Sequence, residues 1–145
     1  MKLSLAPLIL AVALAGCGQA KETRVTDAWV RLAAAPGRPA AAYFTLKGGP
    51  ADATLISVTS PVVIRSEMHE SMAHGTTMTM APIQQVALPA KGEVRFAPGG
   101  KHVMLFDMNP AIKPGSIVSL VFTFADGLKI EYGAKSIAAG DPPPK

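Results

Sequence analysis

The run Ile117-Val118-Ser119-Leu120-Val121-Phe122-Thr123-Phe124 decides the fold class. Val118, Leu120, Phe122 and Phe124 recur at period two, which places all four on one face of an extended chain. Lys113-Pro114-Gly115 introduces the run, and Ala125-Asp126-Gly127 ends it with a hairpin turn. Residues 128–137 then return antiparallel, so the run reads as a buried strand with its partner beside it.

The same punctuation extends back along the chain. With 13 Gly and 13 Pro, the sequence is cut into short apolar segments, with turn signals about ten residues apart, the spacing of an all-β domain. Strands are expected at 25–32, centred on Ala28-Trp29-Val30-Arg31, then at 40–46 and 54–59. A fourth is opened by Pro61 and runs towards Arg65 and Met68. Further strands are expected at 76–80, 84–88 and 93–96, and at 102–108 after the turn Pro98-Gly99-Gly100. No window keeps a helical period over three turns. The expectation is therefore one all-β domain over residues 25–138, an antiparallel sandwich or small barrel, followed by a disordered Pro-rich tail at 139–145.

The N-terminus reads as an export signal: Lys2 gives a positive start, residues 3–14 an apolar core, and Leu14-Ala15-Gly16-Cys17 a small-residue cleavage site. An apolar core of about a dozen residues falls short of the roughly 20 that cross a bilayer as a helix. Leu-Ala-Gly-Cys is similar to the lipobox of bacterial lipoproteins. That similarity implies a lipoprotein signal at residues 1–16, lipidation of Cys17 and a short tether at 17–24. By the same comparison Gly18 favours the outer membrane over the inner for this periplasm-facing anchor. Loss of residues 1–16 removes Lys2 alone among the charged residues, leaving 13 basic against 10 acidic. This mild, dispersed excess gives no support to nucleic-acid binding. Cys17 is the single cysteine, so once it is lipidated the folded domain holds neither a disulfide nor a thiolate ligand.

The chemistry is concentrated in one stretch. Apart from Met1, every methionine (Met68, Met72, Met78, Met80, Met104, Met108) and every histidine (His69, His74, His102) lies between Met68 and Met108. Methionine is an ordinary filler of irregular cores, but residues 66–80 are otherwise polar and do not read as core. A thioether is a soft, neutral donor that suits Cu(I) and is poor for Zn²⁺, Mg²⁺ or Ca²⁺, and imidazole suits copper too. Without a thiol there is no zinc finger and no blue-copper His₂Cys site. His102 and Met104, two apart in an expected strand, form a two-ligand clip on one face, and Met78 and Met80 share a face likewise. The clip is expected at the mouth of the sheet, with the loop from His69 closing over it. No Ser-His-Asp set, paired carboxylates or phosphate loop is visible, so the protein is not expected to be an enzyme.

The spacing His69-x10-Met80-x21-His102-x-Met104 resembles the motif of the periplasmic copper chaperones called PCu(A)C. The resemblance extends over Ala28-Trp29-Val30-Arg31, Ala41-Ala42-Tyr43-Phe44, Ser60-Pro61-Val62, Met68-His69-Glu70 and residues 98–105. It implies a cupredoxin-like β-fold with His69, Met80, His102 and Met104 as Cu(I) ligands. It also implies delivery of Cu(I) to respiratory oxidase copper centres, with an oxidase subunit or second chaperone as acceptor. Met78 stands as a substitute for Met80, and Met72 and His74 as an auxiliary capture site on the loop. Met68 and Met108 are assigned to packing or to the rim, and Trp29 and Tyr43 to the core. The tail Asp141-Pro142-Pro143-Pro144-Lys145 lacks the His- and Met-rich extension of some family members. The alternative is a copper storage or resistance lipoprotein using the same ligands without a dedicated acceptor, and a monomer is expected in either case.

Overall fold

The computed structural model describes residues 22–145; the expected signal peptide, Cys17 and most of the tether lie outside them. Ten strands and no helix occur among the described residues: β1 (Arg24–Arg31), β2 (Ala40–Lys47), β3 (Ala53–Thr59), β4 (Arg65–His74), β5 (Thr77–Pro82), β6 (Val86–Leu88), β7 (Glu93–Phe96), β8 (Lys101–Phe106), β9 (Ile117–Phe124) and β10 (Lys129–Ile137). They form one sheet in the order β5-β4-β8-β2-β1-β10-β9-β3-β6, with β7 also paired to β2.

The sheet rolls so that its two halves face each other across the core, but it is not closed. β3 and β4 approach without a ladder, and the Ser66 hydroxyl donates to the Val58 carbonyl at 2.6 Å across that seam. Val118, Leu120, Phe122 and Phe124 are fully buried, as the period-two pattern required. Phe44 stacks on Phe96 with ring centroids 4.3 Å apart and meets Phe122 edge-on at 4.7 Å, joining the halves through an aromatic cluster.

Four differences from the sequence reading have local causes. The sheet is not wholly antiparallel, because β1 and β10 pair in parallel, Trp29 opposite Lys135; strands from opposite ends of the chain leave no local signal of such a pairing. The strand opened by Pro61 starts instead at Arg65, because Val63 N–H returns to the Ser60 carbonyl at 3.4 Å and turns the chain first. Residues 69–75 are not a loop but, apart from the turn, the end of β4, and the expected strand at 76–80 is the start of β5. The two strands form a hairpin whose two-residue turn has Gly75 at φ +61°, the positive angle that a tight hairpin needs at its first central position. Finally, the tail at 139–145 begins in a turn: Asp141 N–H donates to Ala138, the Asp141 carboxylate accepts from the Ala138 N–H, and Arg31 holds the Asp141 carbonyl at 3.3 Å.

One irregularity sets which β1 side chains face outward. Thr26 pairs with Thr45 but Trp29 with Tyr43, so β1 carries one extra residue around Asp27, whose φ is +54°. This bulge reverses the alternation: Val25 points to the core before it, Ala28 and Val30 after it, and Trp29 stays outside.

Phe122→Ala removes the buried ring that meets Phe44 edge-on. It is expected to lower unfolding stability by about 3–5 kcal/mol in urea denaturation. A loss below about 1 kcal/mol would contradict the packing described.

Candidate metal centre

The histidines meet across a ladder. β4 and β8 run antiparallel with Glu67 opposite Met104, Met68 opposite Val103 and His69 opposite His102. Met68, Val103 and Leu105 are buried in the core, so the alternate positions Glu67, His69, His102 and Met104 occupy the outer face. The imidazole centroids of His69 and His102 lie 5.9 Å apart with the rings inclined at 29°. On the next strand out, Met80 is opposite Ser71, which shares the parity of His69. The four residues implied by the sequence motif thus project from one face of three adjacent strands, β5, β4 and β8. Beyond β8, Met104 is opposite Ala41 of β2, a side chain small enough to leave the thioether room.

The auxiliary candidates divide. Met78 is opposite Ala73 and shares the face of Met80. Met72 and His74 are opposite Thr79 and Thr77, and alternation places them on the other side of the hairpin. The ladder therefore separates the Met72–His74 pair from the four-residue set. Met68 is a core residue, and Met108 packs partly buried against the core. Trp29 and Tyr43 are not at the centre of the core. Their rings meet on the outer face at 4.5 Å, with the Arg31 guanidinium 5.0 Å from the Trp29 ring.

The exposure of the four residues is graded. His102 is only 7% exposed, whereas Met80 is 58% exposed on the edge strand. The expectation that the turn at 98–100 leaves His102 open at the mouth of the sheet is thus corrected: the His69 ring stacks alongside it and the Gly100 carbonyl takes its Nδ1. That turn has Pro98 and Gly99 at its centre, with Gly99 at φ +84° and Gly100 N–H donating to the Ala97 carbonyl at 3.0 Å, as a type II turn requires. It aims the Gly100 carbonyl at β4 and β8, where it accepts from the Ser71 N–H and from His102 Nδ1, each at 3.1 Å.

Sequence reading missed Glu67. Its carboxylate lies 3.0 Å from His69 Nε2 and is ion-paired with Arg65, whose guanidinium stacks 3.8 Å over the Phe106 ring. The available signal was its place two residues before His69, on the same face of any strand containing both. His69 Nδ1, by contrast, is shielded from solvent and has no hydrogen-bond partner in the protein. An unpartnered buried polar atom costs about 1–3 kcal/mol, which a bound cation would offset. Among the described residues no three His, Cys, Asp or Glu side chains gather as a metal cluster. A multidentate site here therefore depends on the methionines, and the donor set fits a soft monovalent ion.

The fold is a rolled, open β-sheet with a His and Met face at one edge, and its likeness to solved PCuAC domains makes it cupredoxin-like. Solved structures of the same fold include the copper-bound PCuAC domain from PmoF2, with a TM-score of 0.68 at 21% identity over 82% of this chain and 95% of that one. The Cu(I) form of DR1885 from Deinococcus radiodurans aligns with a TM-score of 0.61 at 24% identity, over 85% of this chain and 83% of that one. A sequence model of the LpqE-like lipoprotein family matches residues 23–135, and the chain belongs to that family. A relative from Leifsonia xyli subsp. xyli, named "Putative lipoprotein Lxx21020", is 30% identical over 110 residues. The match takes in 75% of this chain and 66% of the relative, a little under two thirds of its length.

Burial holds the Tyr43 phenol above its ordinary value of 10.0, against a smaller opposing effect of Arg31. The folded protein therefore retains this proton longer than the unfolded chain does. The stabilisation is complete below the unfolded value and is lost as pH rises through the folded one. Absorbance titration is expected to show a late-ionising phenol that disappears in Tyr43→Phe; its persistence in the variant would contradict this environment.

Proposed function

We propose that this protein is a Cu(I)-binding metallochaperone of the bacterial cell envelope, anchored by lipid at Cys17. The observation that carries the reading is the alignment of His69, Met80, His102 and Met104 on one face of three adjacent strands. Two imidazoles and two thioethers bring no charge of their own, so the site keeps the single charge of the ion, a smaller desolvation problem than a divalent ion would pose. The lipoprotein name of the family supports export and anchoring. The copper-bound and Cu(I) states of the solved structures with this fold support the choice of metal.

Transfer is by ligand exchange, without a catalysed reaction. Met80, exposed on the edge strand, is the first thioether an acceptor can displace, while His102, nearly buried on an interior strand, lets go last. A partner offering thiolates or a fuller set of imidazoles draws the ion away stepwise. The acceptors proposed are the copper centres of respiratory oxidases or a second chaperone that serves them.

Competition of the reduced domain with a coloured Cu(I) chelator tests the site. His69→Ala, Met80→Ile, His102→Ala and Met104→Ile are each expected to weaken binding by at least about tenfold, or about 1.4 kcal/mol. Met72→Ile and His74→Ala, on the other side of the hairpin, are expected to match wild type. Equal affinity in all six variants would overturn the assignment.

Delivery is tested separately. Deleting the gene under copper limitation is expected to lower the copper content of the terminal oxidase, with recovery on re-expression of wild type but not of Met104→Ile. An unchanged oxidase would favour storage.

A further inference from the structure

The two histidines present different nitrogens. A carbonyl oxygen can only accept, so the 3.1 Å contact of His102 Nδ1 with Gly100 O fixes the proton of a neutral His102 on Nδ1 and leaves Nε2 as its lone pair. A carboxylate also accepts, so the 3.0 Å contact of His69 Nε2 with Glu67 fixes that proton on Nε2. The lone pair of His69 is then on Nδ1, the one atom of the pair that is buried without a partner.

We propose that Glu67 is a positioning residue which holds His69 in the Nε2–H form, so that Cu(I) is taken by Nδ1 of His69 and Nε2 of His102. This deepens the Cu(I) reading given above and rests on it. The geometry around Glu67 is suited to the role. Arg65 pairs with the carboxylate and is itself held over Phe106, so the acceptor is fixed from the side away from His69. Glu67 also lies directly opposite Met104 in the ladder, and its pairing with Arg65 balances its negative charge beside a donor set that otherwise has none. Partners that orient ligating imidazoles in this way commonly change metal affinity 10–100-fold when removed.

Long-range proton–nitrogen NMR correlation on the ¹⁵N-labelled domain tests the assignment. The spectra are taken at mildly alkaline pH, where an ordinary imidazole is neutral. His69 is expected as the Nε2–H tautomer and His102 as the Nδ1–H tautomer. Addition of Ag(I), a closed-shell stand-in for Cu(I), is expected to move Nδ1 of His69 and Nε2 of His102 most. Glu67→Ala is expected to give a tautomer mixture at His69 and about 10–100-fold weaker Cu(I) binding. Glu67→Gln keeps an accepting oxygen and is expected to restore most of both, which separates positioning from a general loss of folding. The same nitrogen shifting in both rings, or an unchanged His69 tautomer in Glu67→Ala, would overturn the proposal and leave Cu(I) binding standing. Ag(I) moving no histidine resonance would overturn the Cu(I) reading itself, and this proposal with it.

Discussion

The register of β4 against β8 is the constraint on which the molecule depends. It sets His69 opposite His102 on the outside while Met68 and Val103 close the core on the inside. Because side chains alternate strictly along a strand, a slip of one residue would send His69 inward and Met68 out to solvent. The apolar alternation that stabilises the fold therefore also assembles the site. A neighbouring contact secures the same register, Ser71 N–H reaching the Gly100 carbonyl at 3.1 Å, while Ile83 N–H bonds the Met68 carbonyl at 2.9 Å and extends the β4–β5 ladder.

Position in the sheet then grades the donors. β8 is interior and β5 is an edge, so the four side chains run from a buried imidazole to an exposed thioether. A site enclosed on all sides would bind an ion without offering a path to an acceptor, and four exposed donors would not hold their geometry. An edge hairpin standing on an interior strand meets both needs. The Arg65–Glu67 pair adds a carboxylate close to the donors without leaving its charge unbalanced.

The strands around the core were legible in the sequence because one face of each packs against the core, and Ile117–Phe124 and Glu93–Phe96 fall where the alternation put them. The hairpin at 66–80 was only half legible: residues 76–80 alternate and were expected as a strand, but beyond Met68 the β4 arm meets solvent on both faces and carries polar residues, so no apolar period marks it as a ladder. Reading that arm as a loop left Met72 and His74 as candidates near the site. Once the register is known, parity places them on the face opposite the four-residue set and keeps Met78 on the same face. The motif spacing singled out His69, Met80, His102 and Met104 but carried no geometry. The partners of the two imidazoles were hidden for different reasons. Glu67 becomes a neighbour of His69 only if the segment is a strand, and Gly100 acts through a backbone carbonyl that no side-chain pattern records.

X-ray absorption at the copper edge of the Cu(I)-loaded protein examines the mixed donor set most directly. The account predicts a first shell of two imidazole nitrogens and two thioether sulfurs, with loss of one sulfur in Met80→Ile and of another in Met104→Ile. A shell of nitrogen and oxygen alone, unchanged in both variants, would contradict it.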